Sequence, residues 1–271
     1  MLMHGNAKRV FIGGGGEMAT AREVLRHEGV EKCVMVDIDE VVCKICMEQL
    51  PEWHGGCLDD PRLVLKFEDA RAALETSEDK YDVIIMDIAD PIEAGPGIAL
   101  YFKEFYEFAR TRMNPGGMIV TQSGPGSVMN PEECFSTIHQ TLRGAFDFVV
   151  PYASDVPSFG SNWAFNVAFP ADCEAGKAVS KALEEAGAPA GGVGAEARAS
   201  VNQVSSAAMK VHSDFEAVDA KLGGMIKGGI DSLRFLDGVA LSGILGLPKG
   251  VRKVLQEETR VMTKESPVFM Y

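Results

Sequence analysis

The sequence predicts an α/β fold, a mostly parallel sheet with an antiparallel edge and helices on both faces. Two observations carry this. Apolar, β-branched runs alternate with helical stretches up to about residue 170, the order that βαβ units require. A glycine run, Gly13-Gly14-Gly15-Gly16, separates the first strand from the first helix, where such folds bring backbone close to a ligand.

Val10–Ile12 is the first expected strand, and Ala19–His27 the helix after the glycines. Cys33–Val36 follows as a strand, then an amphipathic helix over Glu40–Leu50. Leu63–Phe67 and Tyr81–Met86 are strands, with the helix Ala70–Thr76 between them. Phe102–Met113 reads as a helix, and Pro115-Gly116-Gly117 turns the chain into the strand Met118–Thr121. Helix Glu132–Ala145 precedes two strands, Phe148–Tyr152 and Trp163–Phe169. No helix lies between that last pair, so an antiparallel pair at one edge is expected. Residues 1–170 therefore form the core domain. Residues 171–229 are rich in Ala, Gly, Ser, Glu and Lys. They read as a partly flexible insertion with a helix at Ala175–Ala186, a linker at Gly187–Gly194 and weak helical periodicity to Lys221. Residues 230–271 regain an apolar pattern, with a helical stretch at Val251–Glu258, and are expected to pack on the core.

Composition narrows the function. The chain has 271 residues, 46% hydrophobic and 24% charged, which is ordinary for a globular protein. A formal charge of −13 and a pI of 4.9 argue against nucleic-acid binding and suit attraction of cationic substrates. The opening residues Met1–Arg9 contain no apolar signal core, and no run approaches the ~18 apolar residues that span a bilayer. With cysteines that read as reduced thiols, this predicts a cytoplasmic protein without a membrane partner. Cys43, Cys46, His54 and Cys57 imitate metal-ligand spacing. Both Cys43 and Cys46 fit the apolar stripe of their helix, however, so buried thiols and no metal are expected.

The chemistry gathers in acids that follow strands. Asp87-Ile88-Ala89-Asp90-Pro91 ends the strand Tyr81–Met86, placing two carboxylates at the carboxyl edge of the sheet, with Tyr101 and Tyr106 following. Gly14, Gly16 and Ala19 fit the G-x-G-x-x-G/A pattern, and Asp37 ends the second strand as a candidate for ribose hydroxyls. That pattern is shared by nicotinamide, flavin and S-adenosylmethionine proteins. Glu17 puts negative charge where a pyrophosphate would sit, which favours a sulfonium or ammonium instead. Asp69 adds an acid on the same edge, suited to an adenine amino group. Turn capping is the bland alternative for Asp87 and Asp90.

These segments resemble the polyamine aminopropyltransferases, a family with a Rossmann-like, methyltransferase-like fold. The match runs through Gly14-Gly15-Gly16-Glu17 with Arg22–His27, Asp37–Glu40, Asp69-Ala70-Arg71, Tyr81–Pro91, Tyr101, Val120-Thr121-Gln122 and Val150-Pro151-Tyr152. Asp87–Pro96 looks closer to thermospermine synthases than to spermidine synthases. The resemblance implies decarboxylated S-adenosylmethionine as co-substrate, no permanently bound cofactor, and spermidine, or alternatively putrescine, as acceptor. It assigns Gly14, Gly15, Gly16, Glu17, Asp37, Asp69 and Ala70 to the donor. Asp87 becomes the proton acceptor, and Asp90, Gln122, Tyr152 and Tyr101 line the acceptor pocket. The resemblance also implies an N-terminal β-rich segment; the sequence is read as lacking it or as a truncated form, and the homodimer the family implies is expected to be weakened. Met18 stands where the family has Gly and is expected to narrow the donor pocket. Other readings are a small-molecule methyltransferase and a relative that binds nucleoside or polyamine without turnover.

Overall fold

A computed structural model describes residues 1–193 and 198–270. Seven strands form one sheet in the order β3-β2-β1-β4-β5-β7-β6. They are β1 (Arg9–Gly14), β2 (Lys32–Asp37), β3 (Leu63–Phe67), β4 (Tyr81–Asp87), β5 (Met113–Pro125), β6 (Phe148–Val156) and β7 (Ser161–Phe169). The first five pair in parallel; β7 runs antiparallel to both β5 and β6, as the missing intervening helix requires.

Period-two side chains sort the two faces. Val10, Ile12, Met35, Val83, Met118 and Val167 point to one face. There they meet α1 (Ala19–Leu25), α7 (Glu174–Glu185) and α8 (Val201–Val211). Phe11, Val34, Ile84, Met86 and Ile119 point to the other. There they meet α4 (Ala70–Thr76), α5 (Lys103–Thr111) and α6 (Phe135–Arg143).

The strand Met118–Thr121 extends in both directions into the longer β5. Residues 115–117, read as a turn, sit inside it at a register shift opposite Tyr81–Val83. Glycine signals a break, but a bulge absorbs it without ending the strand. α2 (Glu40–Gln49) departs from its expected stripe. Cys43 is buried and Cys46 half-buried, whereas Val41, Val42 and Ile45 face outward. A short helix, α3 (Pro51–His54), follows it. Among the described residues, no group of three or more His, Cys, Asp or Glu could hold a metal ion. Among them, too, no helix is long and apolar enough to cross a membrane.

Residues 171–229 carry α7, α8 and α9 (Phe215–Met225). Val179, Leu183, Val204 and Ala208 of the first two join the core under the sheet. The expected linker ends at Gly194, which lies outside the described residues. α10 (Gly238–Leu245) and α11 (Lys249–Glu257) follow, the latter anchoring Val251 and Leu255 beside Phe135.

Glu258 ends α11 with a side chain only 7% exposed. Burial raises its proton affinity. Hydrogen bonds from Arg260 and Ser136 outweigh that and bring its pKa down to about 2. A depressed carboxylate stabilises the fold above its ordinary value near 4.5 and loses that contribution as pH falls through about 2. Glu258→Gln is therefore expected to cost about 2–4 kcal/mol at neutral pH, the difference from wild type closing as pH falls toward 2. Thermal unfolding of both proteins across pH 2–7 checks this.

Candidate active site

The site begins where the strand order reverses, between β1 and β4. Gly14 is the in-register partner of Asp87, so the glycine turn and the first of the two acids leave the sheet side by side. The Gly15 amide donates to the Asp87 carbonyl at 2.9 Å. Gly14 has φ +84°, and a Cβ there would sit 2.0 Å from the Asp87 carbonyl oxygen. Only glycine permits that approach.

Around this seam lie three acids. At Gly16 a Cβ would lie 3.0 Å from Asp37 Oδ2, so the carboxylate leans on the turn. The other Asp37 oxygen accepts from the Asp39 amide. Burial, followed by the negative charge of Asp87 and more weakly of Asp37, raises the proton affinity of Glu17. An arriving cation would relieve that repulsion. Asp69 is exposed and caps α4, accepting from the Ala72 amide at 2.8 Å, while Ala70 packs at Gly13.

Met18 does not narrow the loop as expected. It adopts φ +71° as the residue before α1, and its side chain is fully buried in the core beneath the sheet. Left-handed backbone costs a non-glycine residue about 1–2 kcal/mol. Burying a methionine returns about 1.5–3 kcal/mol, so the position is tolerated with its bulk turned inward.

Asp90 sits in a second group. Gln122 donates from Nε2 to Asp90 Oδ1 at 3.0 Å, to the Ile88 carbonyl at 2.9 Å and to Tyr101 OH at 2.5 Å. Tyr101 is fully buried and bonds the Ala89 carbonyl, so it reaches the acids by supporting Gln122. Tyr106 is fully buried in the same core cluster. Burial raises the proton affinity of Asp90, the Gln122 bond opposes this, and Glu133 adds to the rise.

Tyr152 stacks on Phe165 with ring centroids 5.3 Å apart, and Phe165 is the in-register partner of Gln122. Both rings line a cavity of about 1080 Å³ on the α1 side of the sheet, walled by Val83, Val120 and Leu236. Its lining is mostly apolar, and Tyr152 is the one candidate residue there; the candidate acids all lie outside it. The acids, not the cavity, mark the chemistry.

Two contacts escape the sequence. Thr20 Oγ1 donates to Asp87 Oδ2 at 2.6 Å, fixing that carboxylate. Trp163 Nε1 donates to Gln122 Oε1 at 2.9 Å, fixing the orientation of the amide. A hydroxyl in the first turn of α1 was the available signal for Thr20; nothing local signals Trp163.

The model of the spermine/spermidine synthase domain matches residues 1–175. A polyamine aminopropyltransferase of Aeropyrum pernix is 35% identical over 271 residues, covering 100% of this chain and 74% of that protein. A thermospermine synthase, ACAULIS5 of Arabidopsis thaliana, is 41% identical over 169 residues, 62% of this chain and 50% of that protein. The chain thus spans between half and three quarters of the length of these relatives. A crystal structure of a spermidine synthase with the transition-state analogue AdoDATO superposes with TM-score 0.70 at 22% identity. That match covers 94% of this chain and 71% of that one, and it shows the shared fold.

Proposed function

The chain belongs to the spermine/spermidine synthase family, and on that premise we propose that it transfers the aminopropyl group of decarboxylated S-adenosylmethionine to spermidine, forming thermospermine. The observation that carries this is the register of Gly14 with Asp87, which joins an acid-lined glycine turn to a second acidic group at one sheet edge. The likeness to a thermospermine synthase supports spermidine as the acceptor.

In this reading Asp37 holds the ribose hydroxyls, Asp69 and Ala70 meet the adenine, and the turn Gly14–Gly16 lets the nucleoside approach. Glu17 pairs with the aminopropyl ammonium. Asp90, oriented by Gln122, binds a cationic end of the acceptor, and Tyr152 flanks its methylene chain.

The acceptor amine attacks the aminopropyl methylene carbon bonded to the sulfonium. The carbon–sulfur bond breaks onto sulfur, neutral methylthioadenosine leaves, and the amine proton passes to Asp87. The attacking amine must be neutral. An ordinary primary amine has a pKa near 10.4, so fewer than about one in a thousand is neutral at pH 7. Bringing that value near 7 takes about 4–5 kcal/mol. Carboxylates oppose this, while desolvation and the adjacent sulfonium favour it. Division of labour resolves the conflict: Asp90 keeps one end charged, and Asp87 receives a proton only as the new bond forms. Holding both reactants in line supplies much of the remaining acceleration.

Incubation with the donor and, separately, spermidine or putrescine tests the acceptor, with products resolved against spermine, thermospermine and spermidine standards. Thermospermine from spermidine is expected. Spermidine formed from putrescine, with no product from spermidine, would instead mark a spermidine synthase.

A further inference from the structure

The loop from Ile88 to Pro91 has every carbonyl engaged. Ile88 receives Gln122 Nε2, Ala89 receives Tyr101 OH, and Asp90 receives the Ile92 amide at 2.8 Å. The fourth bond comes from far away in sequence: the Met270 amide donates to the Pro91 carbonyl at 2.9 Å.

Met270 arrives there along a segment tied down at successive points. Glu258 is bound by Ser136 and Thr137 of α6. Met262 is fully buried; its amide donates to Thr141 Oγ1 at 2.9 Å, and its carbonyl accepts the Lys103 amide at 2.8 Å. Thr263 and Ser266 then bridge into a tight turn, and Val268 and Met270 pack against the α4–α6 core. The Met270 sulfur lies 3.9 Å from Cys134 Sγ. It lies 3.7 Å from where a Cβ on Gly124 would be, and Asp90 Oδ1 lies 3.8 Å from that same point. Gly124 in turn donates its amide to Gln122 Oε1 at 2.9 Å. Met270 therefore packs behind the Asp90–Gln122 pair.

We propose that residues 258–270 form a strap that positions the Asp90 loop for the acceptor polyamine, with Met270 as its positioning residue. This rests on the acceptor role proposed above for Asp90. The physical reason is local. Ala89, Ile92, Glu93 and Ala94 are exposed, so few apolar contacts hold this stretch. Without the strap, its outer carbonyl and the back of Gly124 lose their partners, and Asp90 keeps only Gln122.

The test compares the 271-residue wild type, Met270→Ala and Met270→Leu, together with a chain ended after Pro267 that lacks the Met270 amide. Hydrogen exchange of residues 88–95 and separate KM values for donor and acceptor are the readouts. Met270→Ala should speed exchange in that loop alone and raise the acceptor KM by about tenfold. Donor KM and thermal midpoint should stay close to wild type. Met270→Leu should restore the acceptor KM, since it conserves volume, and the shortened chain should show the larger effect. Unchanged loop exchange in the shortened chain would overturn the proposal. So would parallel loss of donor binding, acceptor binding and thermal stability. If wild type forms no product at all, the functional reading fails, and loop exchange still decides the strap.

Discussion

Asp87→Asn is expected to lower kcat for aminopropyl transfer by about 10²–10⁴-fold while donor binding stays within a few-fold of wild type. The substitution keeps the shape of the side chain and leaves an oxygen for the Thr20 hydroxyl, which now donates to Asp87 Oδ2. The Gly15 bond to residue 87 is to its backbone carbonyl and survives unchanged. What disappears is the capacity to take the amine proton as the carbon–nitrogen bond forms. Single-turnover rates and calorimetric donor titration separate the two quantities. A variant with near-normal kcat would remove Asp87 from the reaction and leave it as a turn residue.

Gly14→Ala should be the most damaging small substitution at this edge. Its φ of +84° is strained for alanine, and the new Cβ would meet the Asp87 carbonyl oxygen at 2.0 Å. Left-handed backbone costs about 1–2 kcal/mol, and forcing β1 away from β4 adds about 1–3 kcal/mol. A thermal midpoint lower by roughly 5–20 °C is expected. Gly56→Ala is the internal control. Gly56 has φ +81° with no atom within 4 Å of its would-be Cβ, so it bears the backbone strain alone. Equal losses in the two variants would show that contact with Asp87 contributes nothing.

The contrast between these two residues also shows what the sequence could and could not reveal. The acids were legible because each follows a strong strand: Leu63–Phe67 and Ala70–Thr76 were read with the bounds that the structure has. The antiparallel edge was legible from a missing helix. The seam itself was not. Gly14 and Asp87 are distant in sequence, and only the sheet order places β1 beside β4.

Thr20, Trp163 and Met270 were missed for a related reason. Thr20 and Trp163 touch candidate residues only through tertiary contact, Met270 meets the acidic loop at the Pro91 carbonyl, and none carries a charge or motif that draws attention locally. α10 was overlooked because Gly238, Ser242 and Gly243 dilute its helical signal, yet Asp237 caps it from the Ala240 amide. Met18 was misjudged in direction. Spacing shows that a residue is bulky beside the glycine turn, but not that its side chain turns into the core.

The identity of the leaving group tests the central claim most directly. Purified protein would be incubated with decarboxylated S-adenosylmethionine and spermidine, and in parallel with S-adenosylmethionine and the same amine. Methylthioadenosine should form only in the first mixture, one per aminopropyl group gained by the amine, and not when the amine is omitted. S-adenosylhomocysteine in the second mixture, with no methylthioadenosine in the first, would contradict the account and make the acids at this sheet edge part of a methyl-transfer site.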